Sequence, residues 1–253
     1  MYTQMREVKV DDLLAREPVQ LDLASMRGLI AHKTVLVTGA AGSIGSELCR
    51  QLAGHDPERL VLYDRHENGM FALDLELRSR FPGVRLVPIL GDVLLEDQLR
   101  SVFDTHRPEV VFHAAAYKHV PIAEQNVIEA VRNNVIGTRN VAQAAIAHGV
   151  REFVLVSTDK AVRPASVMGV TKRVAEMVVQ SMPHAGCAFM AVRFGNVLGS
   201  NGSVVPIFRD QIARGGPVTV THPDVTRFFM TIPEAAQLIL QAAAFGRAGE
   251  ICL

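Results

Sequence analysis

The sequence predicts an α/β fold with a doubly wound parallel sheet, and three observations carry that expectation. Short apolar, β-branched runs at 33–37, 59–63, 85–90, 110–116 and 153–156 alternate with longer stretches of helical periodicity. That is the pattern of strands buried on both faces and joined by crossover helices. The first run passes directly into a turn holding Gly39, Gly42 and Gly45, and the fifth ends in Ser157-Thr158-Asp159-Lys160. Reactive side chains at that strand end lie on the edge where open α/β sheets bind ligands.

At 253 residues the chain is long enough to bury a large core. Lys plus Arg and Asp plus Glu each number 26. No global charge therefore draws the chain to nucleic acid or anionic lipid, and any anion site has to be local. Cys49, Cys187 and Cys252 stand far apart, which suits a reducing, cytoplasmic setting and argues against a disulfide frame or a metal cluster. No run is long and apolar enough to span a bilayer, and the first residues lack a signal-peptide core. The expectation is no metal, no nucleic-acid partner and no membrane segment in this chain.

Residues 1–30 are polar and mixed, a lead-in expected to pack on the domain edge, where Asp11 is placed to cap a short helix through Ala15 that Pro18 ends. Residues 31–182 are assigned to a nucleotide-binding domain. After the strand at 33–37, the glycines at 39, 42 and 45 permit a tight turn, close approach of a pyrophosphate, and close packing of the next helix, patterned by Ile44, Leu48 and Leu52. Ser43 and Ile44 begin that helix, whose N-terminus then faces the phosphates. This is a Rossmann-like fingerprint. The strand at 59–63 ends in Asp64, about twenty residues on, where a carboxylate binds both ribose hydroxyls and repels a 2′-phosphate. NAD is therefore expected. Arg65 beside it would serve NADP instead, and Asp64 capping the next helix is the plainer alternative.

Residues 71–80 read as an amphipathic helix closed by Pro82-Gly83. The strand at 85–90 leads to Asp92 and Val93, placed to meet an adenine. The strand at 110–116 brings Ala114 and Ala115, small enough for a cofactor to approach the backbone, and then Tyr117, Lys118 and His119. His113 reads as a satisfied structural histidine. Residues 126–147 read as one long helix with Asn133 and Asn134 bracing neighbouring loops. A helix from Met168 to about Ser181 puts Met168 and Lys172 on one face.

Residues 183–253 are assigned to a small substrate-binding region, a lid. It holds a sixth strand at 188–194, a helix at 204–214, short strands at 218–220 and 227–231, and a last helix opened by Pro233. Asn196, Arg209 and Arg227 are the polar candidates for a substrate's phosphates or base. A strand barely begins at 249–253, and a fold of this kind is expected to continue.

Taken together, the glycine turn, Asp64, Gly91-Asp92, His113 to Pro121, Asn133 to Thr138, Ser157 to Pro164 and the Met168/Lys172 pair resemble the extended short-chain dehydrogenase/reductase family. More closely, the chain looks like the catalytic domain of the nucleotide-sugar 4,6-dehydratases of polysaccharide biosynthesis that act on UDP-N-acetylglucosamine. The resemblance runs from about residue 8 to the end, and its most specific stretches are 157–161 and 193–208. The general family has a tyrosine where Met168 stands; a phenol near a cationic lysine can take a hydroxyl proton, and a thioether cannot. A subgroup that retains the configuration at sugar carbon 5 also has Met there.

The resemblance implies oxidation of sugar carbon 4 by NAD, loss of the carbon-5 proton, departure of the carbon-6 hydroxyl and return of hydride to carbon 6. It implies Lys160 as the base at carbon 5, Asp159 as the acid for the leaving hydroxyl, Thr158 passing the carbon-4 proton to Asp159, and Lys172 holding the ribose. Tyr117 is the rival base. A UDP-sugar is the implied partner, and homo-oligomers are common in the family. Two other functions stay open: an NAD-dependent nucleotide-sugar epimerase, and a non-catalytic nucleotide-sensing module.

Overall fold

The computed structural model describes residues 23–183, 186–200, 202–220 and 222–253; the short helix expected from Asp11 lies outside them. Each apolar run becomes a strand: β1 (Thr34–Thr38), β2 (Arg59–Asp64), β3 (Leu86–Leu90), β4 (Val110–His113), β5 (Glu152–Val156) and β6 (Ala188–Val192). Shorter strands follow as β7 (Asn196–Val197), β8 (Phe229–Met230) and β9 (Ile251–Cys252). The helices are α1 (Leu23–Ile30), α2 (Ser43–Ala53), α3 (Glu67–Arg80), α4 (Glu96–His106), α5 (Val120–Gln125), α6 (Val127–Val131), α7 (Gly137–Ala147), α8 (Val167–Gln180), α9 (Val204–Ala213) and α10 (Ile232–Phe245).

Seven parallel strands form the main sheet in the order β3-β2-β1-β4-β5-β6-β9. This is the doubly wound, Rossmann-like sheet expected. Because successive strand residues point to opposite faces, β1 sends Val35 and Val37 into a core with α1, α2, α3 and α10. Leu36 goes into a second core with α4, α7 and α8. Phe112 fills the first core and Phe153 the second, both with no exposed surface. A side chain of that size contributes roughly 1.5–3 kcal/mol on burial. The strand order reverses at β1 and β4, so the loops after these strands part and open a crevice at the carboxyl edge.

The chain departs from expectation at several points. β4 ends at His113; Ala114 still donates its N–H to Thr38 O at 3.0 Å, and the backbone then leaves the sheet. The long helix expected over 126–147 is α6, a π-helical turn at Arg132–Ile136, and α7. Residues 218–220 are not a strand: Thr219 bonds the Gln211 side chain through its N–H and its hydroxyl, each at 3.0 Å, in place of a neighbouring strand. β7 pairs in parallel with β8. Helices α4 and α5 stand outside the expected elements. α1, within the expected lead-in, buries Met26 and Ile30 in the first core. β6, α10 and β9 join the main sheet and its helical layer, whereas α9 and the β7-β8 pair stand apart from it. Among the described residues no helix is long and apolar enough to cross a membrane.

Candidate active site

The crevice is a groove with two ends. Its larger part, about 790 Å³, is lined from one side by Gly39, Gly42, Ser43, Ile44 and Gly45, and from the other by Ser157, Thr158, Lys160, Met168 and Lys172. Its smaller end, about 140 Å³, is walled by Asp64, Arg65, Asp92, Val93, Ala114 and Ala115, and both parts share Gly39, Gly42 and Ala114.

Backbone alone fits where the glycine turn meets its neighbours. Gly39 has φ +71°, and a Cβ there would stand 2.5 Å from Ala115 N. A Cβ on Gly45 would overlap Gly39 O. The N-terminus of α2, entered through Gly42 and bordered by Ser43 and Ile44, opens onto the groove, a geometry that can hold a pyrophosphate. Asp64 ends β2 with both oxygens directed by backbone: Oδ2 accepts from Ala41 N and Oδ1 from His66 N, each at 2.9 Å. It braces the turn and the start of α3 while walling the smaller end, where it can take ribose hydroxyls. Arg65 is committed elsewhere. Its Nη1 is 3.3 Å from Asp92 Oδ2, its guanidinium lies 4.8 Å from the Tyr117 ring centroid, and its Nη2 bonds the Tyr117 hydroxyl.

At the other end, the tip of β5 delivers the amine and carboxylate. Lys160 Nζ donates to Asp159 Oδ1 and to Asn196 Oδ1, each at 3.0 Å. Thr158 Oγ1 donates to Asp159 Oδ1 at 3.0 Å, and Asp159 N–H is held by Phe194 O at 3.0 Å. Lys160 and Thr158 line the cleft, while Asp159 stands behind them against a groove bordered by Phe194 and Phe228. On α8, capped by Ser166 Oγ on Gly169 N, Met168 packs on Ala123 and Ala130, and Lys172 follows one turn later. Lys172 Nζ donates to Val156 O at 2.7 Å. Burial pulls its pKa down to about 8, and the Glu176 carboxylate opposes that fall.

Behind the cleft, His113 Nε2 donates to Thr138 Oγ1 (2.9 Å), whose own proton goes to Asn134 O, so Nδ1 accepts from Thr38 Oγ1 (2.7 Å). Burial, aided by the Lys172 charge, lowers this histidine to about 3 and leaves it neutral. It is the satisfied structural histidine expected. Asn134, at the π turn, accepts from Tyr117 N (2.8 Å) and donates to Tyr117 O and Thr171 Oγ1 (2.9 Å each), bracing a loop as its place in mid-helix suggested.

The structure thus gathers the glycine turn, Asp64, Arg65, Asp92, Val93, Ala114, Ala115, Lys118, Thr158, Lys160, Met168, Lys172 and Asn196 along one groove. Two expected substrate contacts do not join it. Arg227 is exposed and donates to Thr226 O at 2.7 Å, and Arg209 lies on α9, which buries no residue and borders the cleft only through Val204 and Val205. The Tyr117 hydroxyl, offered as a rival base, is occupied by Arg65. Ser157 and His119 also line the groove, as their places at the ends of the fifth and fourth strands suggest, whereas sequence reasoning missed Gly202. Gly202 has φ +67°, and a Cβ on it would come within 2.5 Å of His119 Cε1; in the sequence it reads as one more loop glycine.

The sequence pattern of the family described as polysaccharide biosynthesis protein matches residues 35–253. The capsular polysaccharide biosynthesis protein CapD of Staphylococcus aureus is 51% identical over 250 residues, which are 98% of this chain and 42% of CapD. The chain therefore spans well under half the length of that relative. The solved structure of Pen from Bacillus thuringiensis matches with a TM-score of 0.82 at 35% identity, over 88% of this chain and 69% of Pen. MoeE5 in complex with UDP-glucose and NAD matches with a TM-score of 0.71 at 26% identity, over 87% and 75%.

Proposed function

The chain belongs to the polysaccharide biosynthesis protein family, and from that premise we propose that it is an NAD-dependent nucleotide-sugar 4,6-dehydratase acting on UDP-N-acetylglucosamine. The observation that carries the reading is the Lys160 amine on the cleft wall, bonded to Asp159 and facing the same cavity as Met168 and Lys172. Elimination across carbons 5 and 6 needs a base and an acid there; oxidation at carbon 4 alone does not. Glycines 39, 42 and 45, the start of α2 and Asp64 would hold NAD, as the NAD and UDP-glucose bound by MoeE5 support. Bound there, NAD supplies a hydride acceptor for carbon 4 and a hydride donor for carbon 6.

The chain's own residues do the rest. Lys160 takes the proton from carbon 5 and returns it there once hydride has reached carbon 6. Asp159 returns a proton to the departing hydroxyl, reaching the cleft through Thr158 Oγ1 and Lys160 Nζ, each 3.0 Å away. The carbon-4 hydroxyl proton leaves by Thr158, since Met168 offers no titratable group. Lys172, held by Val156 O with its pKa lowered to about 8, remains mostly charged at neutral pH and presents that charge to the ribose. Lys118 and Asn196 serve the nucleotide-sugar end of the cavity.

The test is incubation with UDP-N-acetylglucosamine and NAD, followed by mass spectrometry. Loss of one water is expected; a converted product of unchanged mass would make the enzyme an epimerase. In Lys160→Ala, turnover should fall about 10²–10⁴-fold, the usual worth of a general base, while NAD affinity stays within about twofold. Wild-type turnover in that variant removes Lys160 from the reaction, and NAD binding with no conversion by the wild type points to a sensing module.

A further inference from the structure

We propose that Glu176 is a positioning residue of this reaction, its carboxylate setting the strand tip that carries Thr158, Asp159 and Lys160 against the helix that carries Lys172. The proposal rests on the dehydratase reading for its chemistry, though not for all of its test. Glu176 has no exposed surface and lies on α8 one turn beyond Lys172. Its Oε1 accepts from Ser157 Oγ at 2.6 Å and from Arg193 Nε at 2.8 Å; its Oε2 accepts from Arg193 Nη2 at 2.6 Å and Arg173 Nη1 at 3.2 Å. Both partners outside α8 are hinge points of the cleft. Ser157 is the residue before Thr158-Asp159-Lys160, and its N–H is held by Val192 O at 2.7 Å. Arg193 leads into Phe194, whose carbonyl fixes Asp159 N–H, and on to Asn196, whose side chain accepts from Lys160.

One carboxylate thus joins the ends of β5 and β6 to α8, and the reacting groups hang from those joints. A buried ion pair is weak evidence for stability, because apolar residues of similar volume pack a helix on a sheet as well. What a bidentate pair adds is direction: two oxygens fix the guanidinium plane and leave one lone pair for Ser157 and one for Arg173. Misplacement of reacting groups by about 1 Å can cost roughly 10²-fold in rate, and the Lys160 amine is held by two contacts that both depend on these joints.

The experiment compares wild type, Glu176→Gln and Ser157→Ala. Expected are a kcat lower by about 10²-fold in Glu176→Gln and about tenfold in Ser157→Ala, with the KM for the UDP-sugar within about twofold of wild type. Activity lost only in proportion to the unfolded fraction, or kcat within twofold of wild type in both variants, overturns the proposal. Hydrogen exchange at the Asp159 amide reads the same joint without turnover. Its protection should drop about tenfold or more in folded Glu176→Gln, or in Ser157→Ala if the first variant fails to fold, while Val37 and Phe112 amides keep theirs. Unchanged protection at Asp159 refutes the positioning role. If the wild type dehydrates nothing, the dehydratase reading falls and the exchange result alone decides the inference.

Discussion

His113 shows how a single side chain couples the fold to pH. It has no exposed surface, bonds Thr38 and Thr138 as a neutral ring, and is lowered by burial to about 3. An unfolded histidine binds its proton near pH 6.5. Between those values the unfolded state binds more protons, so the contribution of His113 is complete above about pH 6.5 and is lost as pH falls, at about 1.4 kcal/mol per unit. Urea unfolding should therefore show a stability loss from pH 7 to 5 about 2 kcal/mol larger in wild type than in His113→Gln. Equal losses would mean that the ring is not neutral in the folded state. His113 was legible from the sequence because nothing at ligand spacing accompanies it. Glu176 was not: a glutamate four residues after a lysine on a helix has the pattern of a solvated face, and only the arrival of Arg193 from β6 buries it. That Arg209 and Arg227 lie off the cleft lining was not legible for the converse reason, since a basic residue in a loop-rich stretch carries no sign of which way it points.

The π turn between α6 and α7 brings Asn134 to Tyr117, and this element links the loop after β4 to α8. Replacing Asn134 by Leu leaves the Tyr117 N–H and C=O without their partners and removes the bond that Thr171 Oγ1 accepts, its own donation to Met168 O remaining. The expected cost is about 2–3 kcal/mol, measured by chemical denaturation; a change under about 0.5 kcal/mol would show that the loop finds other partners. Short apolar runs bounded by turn residues and alternating with helical stretches mark the six longer strands, so these could be placed from sequence even where β3, at the sheet edge, is only partly buried. Helix irregularity could not, because a π turn needs only one added residue and the surrounding pattern stays helical. The stretch 218–220 has β-branched residues yet no partner strand, and strand propensity without a neighbour leaves only a loop held by Gln211.

Across the whole molecule, burial divides the chain. Strands β1, β4 and β5 are enclosed by helices on both sides, whereas α9 buries no residue and β7 and β8 hold two residues each. Amides of 204–213 should exchange about 10²-fold faster than those of β1 and β5, and a bound UDP-sugar should slow them; equal protection in the free protein would contradict this division. The sheet order was readable because alternating strands and helices admit few right-handed windings. Which side chains of the region beyond β6 meet the cleft was not, since packing against β4's loop, rather than local pattern, decides it. The contact of the glycine turn with its neighbours, backbone against backbone at Gly39 and Gly45, tells a protein engineer where latitude lies. Any library aimed at cofactor preference is closed at those two sites. Its useful diversity has to be sought at positions 64 and 65, where side chains already stand, with any exchange of Asp64 needing an acceptor for the Ala41 and His66 N–H groups.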